Sequence, residues 1–356
     1  MIMKRRLFCK ILLVVVAVFS LLALSGVLFA QGRSEDAFER VIEIQEKNSH
    51  RLMAIEGVEG TGTGLGQSGR PAIKVFTAEP GVAGIPQELD GVPVQTVVTG
   101  KFYALKKPPW AGGPGGGEEE EPTDPTDRFP RPVPIGVSTG NEGECSAGTI
   151  GCRVTDGADV YALSNNHVFA LEDTASIPSL VLQPGRFDVV PQCVIDPLDS
   201  IGTLFDYEPI AFDGSPNTID AAIALSDESW LDKATPSDGY GTPKSTIATA
   251  YVNQRVQKYG RTTRLTKGQV WATNVEMDVI YSSGTAHFVD QIMVVDMSGG
   301  FILSGDSGSL LVSDGRGKSK GQPVGLLFAG DEAGIFGLAN RIDLVLDRFN
   351  VTIDGK

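Results

Sequence analysis

Hydrophobic residues follow several distinct patterns along this chain, and each pattern predicts a different kind of structure. The first thirty residues open with a basic stretch, MIMKRRLFCK, and continue as an unbroken apolar run, ILLVVVAVFSLLALSGVLFA. This order is typical of a secretory signal peptide, with Ala30 as the last residue before cleavage. The run is also about as long as a bilayer is thick, so an uncleaved N-terminal anchor over 1–30 is the alternative.

Residues 34–105 are predicted to form a small α+β domain. In SEDAFERVIEIQEKNSHRLM, Ser34 can cap a helix, acidic residues occupy the first turn, and Phe38, Val41 and Ile42 recur on one face. Strand-like runs follow, among them AIKVFT and GVPVQTVVTGKFYAL. One helix with three or four strands in such a short stretch suits a small α+β unit.

The pattern changes twice after this domain. Residues 106–130, KKPPWAGGPGGGEEEEPTDPTDRFP, contain too little apolar surface to offset the entropy of ordering, so they are predicted to be a disordered linker. From 131 to 352, short apolar runs such as DVYALS, IDAAIAL and PVGLLFAG alternate with Gly, Asp, Ser and Pro, and a helical period returns only in RIDLVLDRF. This pattern predicts two packed β-subdomains closed by a C-terminal helix.

Composition and charge narrow the range of partners. The 356 residues include 43 Gly and 21 Pro, which favour many turns, and their formal net charge is −14. Without a basic patch to neutralise phosphates, nucleic acid is excluded as an expected partner. The leader, whether cleaved or retained, predicts an extracytoplasmic location: secreted, periplasmic or cell-surface. A membrane contact is expected only through an uncleaved anchor, and the oligomeric state is left open.

Three cysteines lie outside the leader, so at most one intramolecular disulfide can form. Cys152 lies in GTIGCRV, which is typical of a buried strand, so pairing of Cys145 with Cys193 is favoured. The sequence has neither a C-x-x-C spacing nor a histidine near these cysteines, so it does not indicate a metal site. We therefore expect neither a metal nor another cofactor.

Two residues are candidates for a general base and its orienting acid. Among the three histidines, His50 lies in a charged stretch and His287 begins a strand, whereas His167 in YALSNNHVFA follows an apolar strand that can hold it in place. Asp220 in NTIDAAIAL precedes a buried run, where a carboxylate needs a hydrogen-bond donor. An imidazole N–H would satisfy Asp220 and fix the histidine tautomer. Each residue taken alone also fits a plain loop histidine and a turn-capping aspartate.

The stretch SGDSGSLLV, residues 304–312, can supply a nucleophile. Gly305 and Gly308 allow the loop to direct its N–H groups inward, because neither carries a Cβ. Ser307 is the predicted nucleophile, and the amides of Gly305 and Ser307 are the predicted oxyanion hole. Ser309 lies past the turn and leads into the strand. The competing interpretation is a polar turn before a buried strand.

Taken in order, the histidine, the aspartate and Gly-Asp-Ser-Gly resemble the chymotrypsin-like (trypsin-like) serine proteases. The resemblance covers roughly 133–350 and implies an all-β double barrel with a C-terminal helix, a His167–Asp220–Ser307 triad, and a protein or peptide substrate. The segments RPVPIGVSTGN, LSNNHVFA and NTIDAAIA further resemble the narrow-leaf-type trypsin-like proteins of plants and their bacterial relatives. That closer resemblance would extend to the small N-terminal domain.

The resemblance also identifies residues for substrate binding. PVGLLFAG matches the strand that lines the substrate cleft, which implies a role for Phe328, Ala329 and Gly330. Phe301 stands where the trypsins carry the aspartate that selects Lys or Arg, so an apolar or small side chain is the expected preference.

Several features depart from the family pattern. SNNH replaces the usual Thr-Ala-(Ala/Gly)-His, and no cysteine stands directly after the histidine, so the common disulfide beside it is missing. No Arg-Ile-Val-Gly-Gly segment begins the domain, so Asp306 is expected to pair internally, with Arg261 as a candidate partner.

Other enzyme classes fit less well. An α/β-hydrolase needs a histidine after its serine, and no histidine follows Ser307. A cysteine protease built on Cys193 and His287 lacks an activating context. The remaining alternative to a secreted serine endopeptidase is a protease fold that serves only as a binding or regulatory module. In the expected endopeptidase, the N-terminal domain, tethered by residues 106–130, is predicted to act as an intramolecular chaperone or as a regulator of the cleft.

Overall fold

The structure is a computed structural model that describes residues 36–105, 123–296 and 300–356. The predicted leader and most of the predicted linker lie outside the described residues. The helices that the structure describes are α1 (36–53), α2 (Asn166–Phe169) and α3 (Ile342–Phe349), with 3₁₀ turns at Arg186–Asp188, Pro197–Asp199 and Gly317–Ser319. Within these ranges, no helix has the length and apolar character needed to cross a bilayer.

Strands form most of the remaining regular structure. In chain order they are β1 (Val58–Leu65), β2 (Pro71–Thr77), β3 (Glu88–Leu89), β4 (Val92–Val98), β5 (Phe102–Ala104), β6 (Ser138–Asn141), β7 (Gly148–Thr149), β8 (Cys152–Thr155), β9 (Val160–Ser164), β10 (Leu180–Leu182), β11 (Ser200–Tyr207), β12 (Pro216–Asn217), β13 (Ala222–Ser226), β14 (Arg255–Gly260), β15 (Arg264–Ile280), β16 (Thr285–Val295), β17 (Leu310–Ser313), β18 (Pro323–Asp331), β19 (Phe336–Arg341) and β20 (Thr352–Ile353). The runs DVYALS, IDAAIAL, GSLLVS and PVGLLFAG coincide with β9, β13, β17 and β18, as predicted.

Six strands of the C-terminal half close into a barrel. Each pairs with the next in the order β14, β15, β16, β19, β18 and β17, and β17 pairs again with β14. Every residue of β17 and β18 is buried. A strand covered on both faces needs apolar side chains at successive positions, which explains the unbroken runs in these segments.

The N-terminal half of the β region and the last strand, β20, form a second sheet of eight strands, in the order β20, β8, β9, β13, β11, β10, β6 and β7. Helix α3 buries Ile342, Val345 and Leu346, which lie on one face of the helix. This face packs into the apolar core that the second sheet covers. It ends at Asn350, whose φ of 51° is a left-handed C-cap. The predicted all-β double barrel with a C-terminal helix is confirmed.

The strands of the N-terminal segment extend the sheet of the closed barrel. Strand β1 pairs antiparallel with β15, β2 and β4 follow outward, and β5 lies apart from them between β15 and β18. Helix α1 covers 36–53, as predicted, and packs with Ile73 and Val75 of β2 in a small apolar cluster. The domain boundaries stay a prediction, but this segment shares its hydrogen bonds with the barrel.

The last part of the predicted linker, residues 123–130, contacts residues next to β10 and β11 of the second sheet. Arg128 forms an ion pair with Asp199 at 2.7 Å, and the Phe129 amide donates to the Gln183 side chain at 3.1 Å. These partners come from distant sequence, so local composition did not reveal that this end of the segment is held.

The predicted disulfide is present. Cys145 and Cys193 are bonded, with 5.1 Å between their Cα atoms, and Cys152 is a buried free thiol in β8. Burial raises the pKa of that thiol, which keeps it protonated. Because Cys193 is used in the bond, the cysteine-protease alternative is excluded.

Candidate active site

His167 lies on α2, directly after β9. The helix begins after Asn165, whose extended backbone (φ −79°, ψ 157°) ends the strand. The Asn165 side chain donates to the backbone carbonyl of Asp220 at 2.7 Å, and the Asn166 side chain donates to the carbonyl of Glu208 at 2.6 Å. The two asparagines therefore tie α2 to the residues just before β13 and just after β11, and so hold His167 in place.

His167 and Asp220 form a buried pair. Nδ1 of His167 lies 2.5 Å from Oδ2 of Asp220, the His167 amide donates to Oδ1 at 3.2 Å, and both side chains are fully buried. The Asp220 amide is held in turn by the side chain of Asn340 at 3.0 Å. A carboxylate on Nδ1 leaves Nε2 as the nitrogen that can accept a proton.

A third residue, Tyr281, completes this network. Its hydroxyl donates to Oδ2 of Asp220 at 2.8 Å, and its ring packs edge-on against His167 with 5.9 Å between the ring centroids. Burial and the neighbouring Asp220 charge raise the Tyr281 pKa well above its usual value, so the hydroxyl keeps its proton. Sequence reasoning missed Tyr281, because the end of β15 is more than sixty residues from Asp220 and carries no local signal.

The Ser307 loop requires its glycines. Gly305 and Gly308 adopt φ values of 102° and 93°, which residues with a side chain rarely reach. A Cβ on Gly308 would collide with the Thr149 carbonyl and the Ser164 hydroxyl. The turn predicted from the two glycines is therefore present. It packs tightly against β7 and β9.

Asp306 anchors the same loop from inside. One carboxylate oxygen accepts the amides of Thr262 and Thr263 at 2.8 and 3.1 Å, and the other lies 3.4 Å from Nζ of Lys258. Burial lowers the Lys258 pKa, and the Asp306 charge opposes that shift. Internal pairing of Asp306 was expected, but Arg261 is the wrong partner, because its guanidinium points to Asp188.

Arg261 and Asp188 form a second buried ion pair near the loop. Nε of Arg261 donates to one Asp188 oxygen at 2.9 Å, and Nη2 contacts the other. The Arg261 amide donates to the Thr149 hydroxyl at 3.0 Å, which donates to the Gly305 carbonyl at 2.9 Å. The Ser304 carbonyl, which shares its peptide unit with the Gly305 amide, accepts the Thr262 hydroxyl at 2.7 Å. Together these bonds hold the loop on both sides of the predicted oxyanion-hole amide of Gly305.

The Ser307 hydroxyl has partners other than the histidine. Its Oγ accepts the Leu105 amide at 3.1 Å and donates to the Phe328 carbonyl at 3.0 Å. Within the described part of the chain, Nε2 of His167 makes no hydrogen bond. The structure therefore brings His167 and Asp220 into direct contact, whereas the serine hydroxyl is turned toward β18.

The predicted oxyanion hole faces a backbone carbonyl. The Gly305 amide donates to the Leu105 carbonyl at 2.6 Å, a short bond for two neutral groups. Ser307, the source of the other predicted donor, is fully buried two residues further along the same loop. The Gly305 amide, which is predicted to stabilise an oxyanion, therefore already binds the carbonyl of one peptide of this chain.

The four predicted substrate-binding residues lie around the same point. Phe328, Ala329 and Gly330 belong to β18, where Phe328 offers its carbonyl while its ring packs on Phe288 at 4.7 Å between centroids. Phe301 is fully buried in an apolar cluster, and its amide donates to Gly334 at 2.9 Å. Beside these residues a cleft of about 680 Å³ opens, with Tyr103, Leu105 and Ser304 among its lining residues.

The other two histidines lie elsewhere. His50 is exposed at the end of α1. His287 lies 2.7 Å from Asp278 and 3.1 Å from Glu276, and hydrogen bonds to these carboxylates raise its pKa to about 9. Across the described residues, no group of three or more His, Cys, Asp and Glu side chains is arranged to hold a metal ion.

Comparison with known proteins adds one family match and several structural neighbours. A family model described as Nal1 C-terminal domain matches residues 244–345, under a third of the chain. No curated protein matches.

Among the solved structures that this chain resembles are proteases of low sequence identity. A glutamic acid specific serine protease that uses a histidine triad in substrate binding is 18% identical, over 62% of this chain and 100% of its own, with a TM-score of 0.43. Thermobifida fusca protease A is 18% identical over 63% of this chain and 100% of its own, with a TM-score of 0.44. Nocardiopsis protease is 18% identical over 62% of this chain and 99% of its own, with a TM-score of 0.43.

Such distant neighbours say nothing about the activity of this chain. The strand order of the chain itself gives the fold, since a closed six-stranded barrel lies beside a second sheet and a helix follows at the C-terminal end. This protein therefore has the chymotrypsin-like double β-barrel fold.

Proposed function

We propose that this protein is a serine endopeptidase that acts outside the cytoplasm, with His167, Asp220 and Ser307 as its catalytic triad. One observation carries the proposal: a buried His167–Asp220 pair lies beside a Gly-Asp-Ser-Gly loop whose Gly305 amide already holds a peptide carbonyl at 2.6 Å. A polar turn without a catalytic role would need neither a carboxylate-oriented imidazole nor an amide directed at a docked peptide. The disulfide and the leader sequence support the location.

The mechanism follows from these groups. The mechanism requires the Ser307 hydroxyl to leave the Phe328 carbonyl and donate to Nε2 of His167. His167 then takes the proton as Oγ attacks the substrate carbonyl carbon. Asp220 stabilises the imidazolium, and the amides of Gly305 and Ser307 stabilise the oxyanion. His167 then protonates the leaving amine, and water releases the acyl group from Ser307.

The substrate is proposed to bind as an added strand along β18. Phe328, Ala329 and Gly330 supply the backbone groups, as in other proteins that bind an extended peptide at a sheet edge. An apolar pocket near Phe301 would then favour an apolar side chain over Lys or Arg. No step in this chemistry requires a metal or an organic cofactor.

A second candidate function is a non-catalytic binding or regulatory module. The observation that favours it is the serine hydroxyl itself, which is hydrogen-bonded to Leu105 and Phe328 instead of His167. A module of this kind would keep the cleft permanently filled by its own chain.

Labelling with a fluorophosphonate separates the two functions. We expect the purified full chain to take up one label per molecule, and Ser307→Ala and His167→Ala to lose it. Ser309→Ala, which removes the other hydroxyl of the loop, should keep the label, with circular dichroism as a check on folding. An equal label on Ser307→Ala, or none on folded wild type after prolonged incubation, would refute the proposed enzyme.

A further inference from the structure

The segment that ends at Leu105 lies in the cleft. Strand β5 pairs antiparallel with β18, with Ala104 opposite Ala329 and Tyr103 opposite Gly330. Its other edge pairs with the end of β15. The segment thus occupies the position along β18 that the proposed function assigns to a substrate.

The hydrogen bonds of Leu105 are those of a peptide at the reacting position. Its amide donates to the Phe328 carbonyl at 3.3 Å and to Ser307 Oγ at 3.1 Å, and its carbonyl accepts the Gly305 amide at 2.6 Å. A strand that only extended the sheet would have no need to place its carbonyl on the Gly-Asp-Ser-Gly loop. The backbone of Leu105 therefore contacts the proposed nucleophile through its amide and the predicted oxyanion hole through its carbonyl.

The Leu105 side chain occupies an apolar pocket. It is 8% exposed and belongs to the cluster that contains Phe301, Ile302 and Leu327. A Cβ on Gly330 would lie 2.9 Å from Cδ1 of Leu105 and 3.0 Å from Cγ2 of Ile302. The absence of a side chain at Gly330 is therefore what makes room for a branched aliphatic group at this point.

From this geometry we infer that the protein cleaves its own chain after Leu105, and that its pocket selects leucine or a similar aliphatic residue before the scissile bond. This inference rests on the proposed function and adds to it a substrate class and a site of self-processing. The chain continues from Leu105 into KKPPW, so the leaving group is the amine of Lys106.

The reaction balances with the residues of the site. Ser307 Oγ bonds to the Leu105 carbonyl carbon while its proton passes to Nε2 of His167. The Leu105–Lys106 C–N bond breaks, and His167 returns the proton to the departing nitrogen. Water then cleaves the Ser307 ester, which leaves a carboxylate on Leu105 and restores the hydroxyl.

The cut segment is expected to stay bound. Its strands keep their backbone hydrogen bonds, because β1 pairs with β15 and β5 pairs with both β15 and β18. The segment that ends at Leu105 then competes with other substrates as a bound product, so processing alone leaves the cleft filled.

N-terminal sequencing and intact mass measurement of the purified full chain test this inference. We expect a fragment that begins KKPPW in wild type and in Leu105→Met, at a rate independent of protein concentration. Ser307→Ala should stay intact, and Leu105→Asp should be cut at least tenfold more slowly while it still takes up fluorophosphonate. Leu105→Asp places a charge in a buried position and could therefore fold less well. A second measurement, on the wild-type chain with small substrates, does not depend on the folding of this variant. Phe-Tyr-Ala-Leu p-nitroanilide should be hydrolysed with a kcat/KM at least a hundredfold above that of Phe-Tyr-Ala-Lys p-nitroanilide.

The outcomes separate this inference from the proposed function. A wild type that is labelled by fluorophosphonate yet stays intact, or that prefers the Lys anilide, overturns the inference and leaves the endopeptidase standing. Equal cutting of Ser307→Ala assigns the cut to another protease and also overturns it. A folded wild type that is neither labelled nor cut refutes the proposed function, and the inference fails with it.

Discussion

The buried ion pair between Arg261 and Asp188 offers the sharpest test of how the Ser307 loop is held. Both side chains are about 5% exposed or less, and Asp188 also accepts the Ser138 hydroxyl at 2.6 Å. Asp188→Asn keeps the shape but removes the negative charge, so the guanidinium stays buried without a counter-charge. Breaking a buried pair from one side costs about 3–5 kcal/mol. Since asparagine can still accept one of the two bonds, we expect a loss of about 3 kcal/mol in the free energy of unfolding.

Urea unfolding followed by tryptophan fluorescence measures this loss, and the fluorophosphonate labelling rate measures the effect on the loop. The labelling rate should fall as well, because the Arg261 amide is bonded to Thr149, which holds the Gly305 carbonyl. The double variant Asp188→Leu/Arg261→Met removes both charges, so its unfolding free energy should return to within about 1 kcal/mol of wild type. A loss below about 1 kcal/mol in Asp188→Asn, or a double variant less stable than the single one, would refute the reasoning.

Three further predictions concern other parts of the molecule. Tyr281→Phe removes a hydrogen bond to the buried Asp220 carboxylate, worth about 1.5–3 kcal/mol, so kcat for peptide hydrolysis should fall about 10- to 100-fold. A rise in KM with kcat unchanged would contradict that positioning role. His287 has its pKa raised from 6.5 to about 9, so it stabilises the fold fully below pH 6.5 and loses that contribution as the pH rises through 9. The stability difference between wild type and His287→Gln should therefore shrink from at most about 3 kcal/mol at pH 6 toward zero at pH 10, and a constant difference would contradict this. Replacing Cys145 and Cys193 by serine opens a loop with a sequence separation of 48, so urea unfolding should show a loss of up to about 4 kcal/mol, and an unchanged midpoint would rule out that contribution.

The self-bound cleft changes how measurements of activity should be interpreted. Low turnover by the purified chain would follow from the segment ending at Leu105, which holds both the Gly305 amide and the Ser307 hydroxyl. Labelling rates should therefore be followed over hours and compared with those of Leu105→Asp, in which the segment is expected to bind less well. A faster label on that variant would indicate that the segment limits access to Ser307.

Much of the fold could be predicted from short-range patterns. The helix over 36–53 follows from its apolar period. Strands β17 and β18 follow from apolar runs that are short for a helix and are bounded by turn residues, as in a strand buried on both faces. The pair Cys145–Cys193 followed from the burial expected of Cys152. The Ser307 turn could be predicted because its glycines are a local requirement of the backbone.

Contacts between distant segments were decided only by the tertiary structure. Tyr281 reaches Asp220 across 61 residues and Leu105 reaches Ser307 across 202, and nothing in the sequence near either residue indicates its partner. The same limit explains why Arg261 is only a candidate partner of Asp306 from the sequence, since a charge pattern does not say which of several acids lies within reach. By itself, therefore, the sequence determined the strands, the helix periods and the chemical type of each candidate residue, because these depend on neighbours along the chain. Only the folded barrels decided that the cleft is filled by the segment ending at Leu105, because that depends on which strand edges and loop amides meet in space.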